Sequence, residues 1–197
     1  MVMADSFILF PVMIDKKTSF LSPEECDSMV AMAKKTNLLK HEHLVGNAKS
    51  CHENDSDFLK KADKDIIKKL LTAIEEYGTK FGLHPLDISN SWVNTQKEGS
   101  QLNMHCHPDS IVSGTIYLKC NKNSNQLYFY NPNPHISFMN IKTYNVFNYS
   151  YVGIKPQIGD LILFPSWLMH GSHKEKNKCK ERIALSFNTR YYETPYN

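Results

Sequence analysis

Several classes of protein are excluded by what this 197-residue sequence lacks. Its five cysteines are scattered, odd in number and form no C-x-x-C pair, so a disulfide framework is not indicated. No apolar run approaches the ~20 residues that span a bilayer, and no secretion signal opens the chain. We therefore expect a cytoplasmic protein with free thiols and no membrane partner.

An excess of charge of one sign is also missing. The sequence has 23 Lys and Arg against 20 Asp and Glu, and basic and acidic residues alternate, as in "KKADKDIIKK". Without a dense cationic stripe, nucleic acid is disfavoured as a partner. A homo-oligomer is compatible with this composition.

The first part of the chain carries helical signals. Residues 7–15 (FILFPVMID) predict a first strand. Ser22, Pro23 and Glu25 predict a helix start with a capping box. Apolar residues at helical spacing predict a long amphipathic helix over 57–81.

The second part of the chain has a different pattern. From residue 88 onward, short β-branched and aromatic runs alternate with Asn, Pro, Gly and Ser, which is typical of an all-β sandwich or barrel. No linker is visible, and the length suffices to bury a core. We predict a single domain over 1–197, with a helical support region (1–87) packed on one outer face of a β core (88–192).

Three side chains that can bind a metal lie at a spacing of two in "NMHCHPDS". His105, His107 and Asp109 would share one face of an extended segment, so that two imidazoles converge on one ion. Pro108 favours an end of strand pairing, which would leave Asp109 in a turn. A neighbouring strand should supply a further ligand, and His170, directly after an apolar strand, is the best candidate.

The other histidines carry weaker signals. His173 could compete with His170, but it lies three residues further from the strand. We expect the histidines outside the metal motif on the surface or in loops: His41, His43, His52, His84, His135 and His173. Three protein ligands would leave open positions for catalysis. Since imidazole suits iron, zinc, copper or nickel, both zinc hydrolysis and iron-dependent oxygen chemistry stay open.

A second functional signal lies in the alternating strand "ERIALSFNTRYY". One face would be apolar and belong to the core (Ile183, Leu185 and Phe187). The opposite face would present Arg182, Ala184, Ser186 and Asn188. An arginine can bind a carboxylate through two parallel N–H bonds. Alternatively, Arg182 is a surface residue paired with Glu181 or Glu175.

Three ordered blocks resemble the short 2-oxoglutarate/Fe(II)-dependent oxygenases of bacteria and marine phages, which are related to the prolyl-hydroxylase-like enzymes. The blocks are H-x-H-P-x-S-x-x-S-G-x-x-Y-L, G-D-L-I-L-F-P-S-W-L-x-H and R-I-A-L-S-F-N. The resemblance covers residues 88–192. It implies a double-stranded β-helix (jelly-roll) core in a mostly β protein, together with Fe(II), 2-oxoglutarate and O2.

The same resemblance implies an enzyme, a dioxygenase that hydroxylates a C–H bond and releases succinate and CO2. Its substrate would be a small molecule or a protein side chain, which the sequence does not identify. If a phage encodes the chain, it would act in the host cytoplasm.

The resemblance also implies roles for individual residues. The first family ligand falls on His105 or His107, and the distal histidine falls on His170. Arg182 matches the arginine that binds the far carboxylate of 2-oxoglutarate, and Tyr117 matches a tyrosine that contacts the same carboxylate. A third contact from Ser186 rests on its place on the strand face.

One departure from the wider superfamily concerns the metal ligands. Most members have H-x-D, a pattern that fits here only as His107-Pro108-Asp109. We prefer the set His105, His107 and His170 and keep Asp109 as the alternative to His105. A three-histidine site would lack the usual carboxylate charge.

Two other functions compete with this interpretation. Gly99 followed by the H-x-H motif resembles half of the first cupin motif, although Ile111 and Val112 occupy the places of the expected glutamate. A cupin would be a metal-dependent dioxygenase or isomerase without 2-oxoglutarate, and it would give Arg182 no role. The second alternative is a non-enzymatic jelly-roll binding module.

The surroundings of the site are only outlined by the sequence. Four aromatic residues are candidates either for a substrate pocket or for the core: Trp92, Trp167, Tyr128 and Tyr130. The polar segment 173–181 predicts a mobile loop near the mouth of the site or a solvated hairpin tip.

Overall fold

The structure, a computed structural model, describes residues 8–192. The helices are α1 (Pro23–Lys35) and α2 (Lys64–Lys80). The strands are β1 (Asp15–Lys17), β2 (Leu44–Val45), β3 (Ala48–Ser50), β4 (Leu86–Lys97), β5 (Gln101–Leu102), β6 (Val112–Lys119), β7 (Leu127–Tyr130), β8 (Tyr151–Ile154), β9 (Leu161–Pro165), β10 (His170–Gly171) and β11 (Glu181–Tyr191). Within the described residues, no helix is both long and apolar enough to cross a membrane.

The helix starts follow from local capping chemistry. At α1, the Ser22 hydroxyl accepts from the backbone N–H of Glu25, and the Glu25 carboxylate accepts from the Ser22 N–H at 2.7 Å, which confirms the predicted capping box. The second helix is shorter than predicted. Asp63 caps it by accepting from Asp65 N–H, and the residues before it form a separate 3-10 turn, Phe58–Lys61.

The predicted strand over 7–15 is wrong over most of its length. Residues 8–14 have no regular structure, and residue 7 lies outside the described residues. Strand β1 begins only at Asp15, where it pairs with β9. Pro11 has no N–H to donate to a ladder, and the side chains of Ile8, Leu9 and Phe10 are exposed, so apolar composition alone did not make this segment a strand.

The β core consists of two facing antiparallel sheets. The larger has the strand order β1-β9-β6-β11-β4-β3, and the smaller has the order β10-β7-β8. A short β2-β5 pair lies beside them. Apolar side chains from both sheets meet in one cluster, which includes Tyr117, Phe129 and Phe164. This is the predicted double-stranded β-helix.

The helices cover one face of the larger sheet, as predicted. The residues Ile183, Leu185 and Phe187 of β11 are buried in one cluster with Met29 of α1 and Leu70 of α2. Each such apolar side chain stabilises the fold by roughly 1.5–3 kcal/mol through burial. The opposite face of β11 therefore points between the two sheets.

Close packing at Gly114 of β6 gives a test of this core. A Cβ at this position would lie 2.2 Å from Cζ of Phe187 and 2.9 Å from Cδ2 of Leu163. We expect Gly114→Ala to lower the free energy of unfolding by roughly 1–3 kcal/mol, because a buried ring must shift. Urea denaturation measures the change.

Gly78 of α2 supplies the matched control. Its nearest neighbour for a new Cβ is Leu86 at 3.7 Å, which is an ordinary contact. Gly78→Ala should raise stability by about 0.5–1 kcal/mol, as alanine does in a helix. An unchanged urea midpoint for Gly114→Ala would contradict the packing described above.

Candidate active site

A cavity of about 500 Å³ lies between the sheets and opens beside the N-terminal loops. The face of β11 that points away from the helices forms part of its wall, through Arg182, Ala184, Ser186 and Asn188. The rest of the wall comes from β4, β6, β7, β9 and β10, from the segment after β5 and from the loops around His43 and His52. The alternation predicted for β11 thus divides its side chains between core and cavity.

Three histidines converge in this cavity. The ligand-capable atoms of His105, His107 and His170 all lie within 4.8 Å of one another. A two-way backbone bridge holds two of them together: His105 N–H donates to His170 C=O, and His170 N–H donates to His105 C=O, both at 2.9 Å. The N–H of His107 donates to Ser166 C=O at 2.8 Å. Backbone pairing between distant segments therefore builds the cluster.

Each of the three rings is fixed through Nδ1. The Nδ1 of His105 is 2.9 Å from Asn103 C=O, and that of His170 is 2.8 Å from Leu168 C=O. The Nδ1 of His107 is 2.6 Å from Asn188 Oδ1. The two backbone carbonyls can only accept, and the Ser113 hydroxyl, 2.8 Å from His107 Nδ1, donates its own proton to Asn188 Oδ1, so this geometry places a proton on each Nδ1. The lone pair then lies on Nε2, the arrangement that a metal-binding imidazole requires.

Burial keeps the three imidazoles uncharged. It lowers the pKa of His105 to about 4, with the neighbouring imidazoles adding to the effect. Burial likewise lowers the pKa of His107, and it lowers that of His170 well below the ordinary value of 6.5. At neutral pH the cluster is therefore ready to bind a cation without releasing protons.

Asp109 and His173 lie apart from this cluster. Asp109 is exposed, in a turn that Ser110 N–H closes by donating to His107 C=O at 3.3 Å. His173 stacks on Tyr130 at a ring distance of 5.3 Å, and its Nε2 is 2.9 Å from the Tyr130 hydroxyl. Asp109 does line the cavity, but at its rim.

The guanidinium of Arg182 is buried, with only 5% of the residue exposed. It donates through one terminal nitrogen to Gln96 Oε1 and, at 2.7 Å, to Asn125 Oδ1, and through the other to the Tyr117 hydroxyl at 3.2 Å. Its Nε has no hydrogen-bond partner. Among residues 8–192, no carboxylate lies within ion-pair distance of it.

Such a buried charge without a counter-ion is costly unless a ligand supplies one. The surface pairing with Glu181 or Glu175 does not form, since Glu181 pairs with Lys119 and Glu175 accepts from Gln126 N–H. The cavity therefore contains a fixed cation that is suited to a carboxylate.

Tyr117 and Ser186 lie in the same wall. The guanidinium lies over the Tyr117 ring, 5.0 Å from its centroid. Burial raises the pKa of the Tyr117 phenol, although Arg182 opposes the shift, so the hydroxyl keeps a proton to donate. Ser186 Oγ accepts weakly from Asn94 Nδ2 at 3.4 Å.

Sequence reasoning missed three further histidines of the cavity. His41, His43 and His52 lie in loops, as expected, but these loops border the cavity. His43 stacks on His105 with ring centroids 4.7 Å apart, and His52 packs edge-on against Trp92 at 4.5 Å. No local periodicity could reveal this, because the β2-β5 and β3-β4 pairings place the loops.

Of the four aromatic residues proposed for a pocket, Trp92 lines the cavity. Trp167 is 52% exposed elsewhere on the surface. Tyr128 and Tyr130 pack against Tyr151 in the smaller sheet.

Comparison with known families decides the class of protein. A family model described as "Putative 2OG-Fe(II) oxygenase" matches residues 90–188, about half of the chain. This chain belongs to the 2OG-Fe(II) oxygenase family. The family uses ferrous iron and 2-oxoglutarate. Membership makes the chain an oxygenase and disfavours both alternatives, a cupin and a non-enzymatic binding module. No curated protein sequence matches.

Solved structures of 2OG-Fe(II) oxygenases share this fold. A viral collagen prolyl hydroxylase from Paramecium Bursaria Chlorella virus-1, complexed with 2-oxoglutarate, is 18% identical with a TM-score of 0.60, covering 91% of this chain and 96% of that one. A Pseudomonas putida prolyl-4-hydroxylase is 15% identical with a TM-score of 0.60, covering 91% and 93%. HygX from Streptomyces hygroscopicus, with nickel and 2-oxoglutarate bound, is 10% identical with a TM-score of 0.63, covering 94% and 86%.

The ring tautomers of this oxygenase can be tested without any metal. We expect ring ¹⁵N NMR at neutral pH to show the Nδ1–H form for His105, His107 and His170. Asn188→Leu removes the closest acceptor of His107, so its ring should shift towards the Nε2–H form. The rings of His105 and His170 should not change, because their acceptors are backbone carbonyls.

Asn90→Leu is the matched control, since Asn90 also lines the cavity but its Oδ1 has no hydrogen-bond partner. This variant should leave the His107 tautomer unchanged. Wild-type protein with His107 in the Nε2–H form would contradict the described geometry.

Proposed function

We propose that this oxygenase hydroxylates a C–H bond of its substrate with O2 and 2-oxoglutarate, releasing succinate and CO2. One observation carries the proposal: a buried arginine without a counter-ion and three Nδ1-protonated histidines line the same cavity. The arginine can bind a carboxylate and the histidines can bind a metal ion, so the cavity suits a carboxylate cosubstrate that reacts at a metal. A cupin would leave the arginine without a role.

The histidine cluster fits ferrous iron. His105, His107 and His170 would hold it through Nε2, and imidazole is a suitable donor for iron. Three protein ligands leave positions for other molecules. Asp109, the alternative ligand, is exposed in its turn and lies outside the cluster, which supports the three-histidine set.

The opposite wall fits the far carboxylate of 2-oxoglutarate. Arg182 would bind it through donors that include the unpartnered Nε, and Tyr117 would donate its hydroxyl proton to the same group. Ser186 could add a third donor. Gln96 and Asn125 hold the guanidinium in place before binding, so little side-chain entropy is lost.

Bound iron and 2-oxoglutarate supply the oxidising chemistry of this family when O2 is present. The chain's own residues position these groups and exclude water. Leu127 and Phe164 supply apolar wall beside Tyr117, which limits solvent access to the inner cavity. Asn188 holds the His107 ring, while Ser113 donates to the same Oδ1 at 2.7 Å.

The structural relatives are named for two kinds of substrate. Two are prolyl hydroxylases, and one HygX structure contains hygromycin B. We accordingly propose a protein side chain or a small molecule as the substrate class.

The ligand set can be tested by metal binding. We expect His105→Ala, His107→Ala and His170→Ala each to weaken Ni(II) or Fe(II) binding by more than about tenfold, since even a lost partner of a ligand costs that much. Anaerobic calorimetry and metal analysis measure the affinity and the stoichiometry.

Two variants serve as comparisons for this test. Asp109→Ala and His173→Ala should bind one metal ion per chain, as the wild type does. If Asp109→Ala lost the metal while His105→Ala kept it, the alternative ligand set would be correct.

The cosubstrate site can be tested separately in the Ni(II)-loaded protein. Arg182→Met should weaken 2-oxoglutarate binding by roughly 10- to 150-fold, because hydrogen bonds to a charged group contribute about 1.5–3 kcal/mol. In the Fe(II)-loaded enzyme, the same variant should form succinate more slowly at limiting 2-oxoglutarate.

Arg190→Met is the control, because Arg190 is an exposed arginine of the same strand. It should bind 2-oxoglutarate as the wild type does. Unchanged binding by Arg182→Met would contradict the assignment of the anion site.

A further inference from the structure

The charges that line the cavity are separated by depth. Arg182, at the buried inner wall, is the only lysine or arginine among the described residues that line it. The two acidic residues of the lining, Glu42 and Asp109, are both exposed at the rim. The whole chain has a net charge of +3, so the charge of this acidic rim is opposite in sign to the net charge of the protein.

The Glu42 carboxylate is free to contact a ligand. Its side chain is 79% exposed, and its Oε1 is 3.5 Å from His43 Nε2. His43 stacks in turn on His105. A group bound by Glu42 would therefore lie beside the histidine cluster.

Asp109 is placed similarly. The turn after His107 carries Asp109 outward, two residues beyond that ring. Asp109 is not a member of the histidine cluster, and its carboxylate forms no ion pair with any of the described residues. Both carboxylates thus belong to the exposed part of the lining of the cavity that contains the three histidines.

Other polar groups of the cavity lining favour a hydrogen-bond donor as ligand. Asn90 Oδ1 is buried without a partner, which costs about 1–3 kcal/mol until a donor reaches it. Burial lowers the pKa of both His41 and His52, so these imidazoles add no positive charge at neutral pH. Glu53 acts on both rings as a further negative charge.

We propose that the substrate carries a positively charged amino or guanidinium group, which Glu42 and Asp109 bind at the rim. The proposal rests on the function proposed above, because it takes the three histidines as the reaction centre. A carboxylate or phosphate substrate would meet two like charges there and no lysine or arginine other than Arg182. The cation belongs to a free amine or to a basic side chain of a peptide.

The test uses Ni(II)-loaded full-length protein saturated with 2-oxoglutarate, with binding measured by calorimetry. The first probes are 1,5-diaminopentane and 1,5-pentanediol, which have the same length and differ in charge. Free L-lysine and the peptide acetyl-Ala-Lys-Ala-amide distinguish the two sources of the cation. We expect the diamine to bind at least about fivefold more tightly than the diol and to weaken as salt is added.

Substitutions of the two rim carboxylates test whether these residues bind the diamine. Glu42→Gln and Asp109→Asn should each weaken diamine binding about twofold to fivefold, the range for exposed ion pairs. Glu75→Gln, which removes an exposed carboxylate on α2, should have no effect.

Each outcome has a separate meaning. Failure of 2-oxoglutarate to bind the loaded protein would overturn the proposed function and this inference with it. Normal 2-oxoglutarate binding with equal affinities for diamine and diol, or with no effect of either rim variant, would overturn the substrate class alone. Loss of nickel from Asp109→Asn would make Asp109 a metal ligand and overturn its role at the rim.

Discussion

The alternation of side chains along β11 connects the stability of this protein to its site. This strand lies between β4 and β6 in the larger sheet. Its odd-numbered residues Ile183, Leu185 and Phe187 pack under the helices, while Arg182 and Asn188 face the cavity. A slip of one residue would exchange the two faces and place a guanidinium in the helical core. The hydrophobic core therefore fixes the register that the site requires.

Residues on the strands next to β11 also hold the side chains of the site in place. Gln96 of β4 and Tyr117 of β6 both accept hydrogen bonds from Arg182. The Nδ1 of His107 lies within hydrogen-bond distance of Asn188 on β11 and of Ser113 on β6. Adjacent strands of one sheet thus hold in place both the Arg182 guanidinium and one member of the histidine cluster. Because these groups are carried on a central sheet, and not on mobile loops, their geometry is set before any ligand binds.

Much of this arrangement could be predicted from sequence because it depends on local patterns. Period-two alternation located β11, and the capping residues located α1. The positions of the loops are harder to predict, because pairing between residues far apart in the sequence determines them. His43 reaches the cavity since its C=O accepts from Asn103 N–H at 2.8 Å, a contact between residues sixty positions apart. The composition of segment 173–181 predicts a mobile or solvated loop, yet Asn177 within it is buried and donates to backbone carbonyls of β4.

The distribution of charge in the cavity has a consequence for how ligands are ordered within it. With histidine at position 107, where an H-x-D pattern starting at His105 would have its carboxylate, the proposed metal site gains no negative charge from the protein. With a metal bound there, the inner cavity would hold positive charge at both the metal and Arg182, while the carboxylates Glu42 and Asp109 lie at the exposed rim. Such a field draws a dicarboxylate inward and holds a cation outside, since each is repelled from the other's position. If both proposals hold, one cavity would direct an anionic cosubstrate to its inner wall and a cationic substrate to its rim.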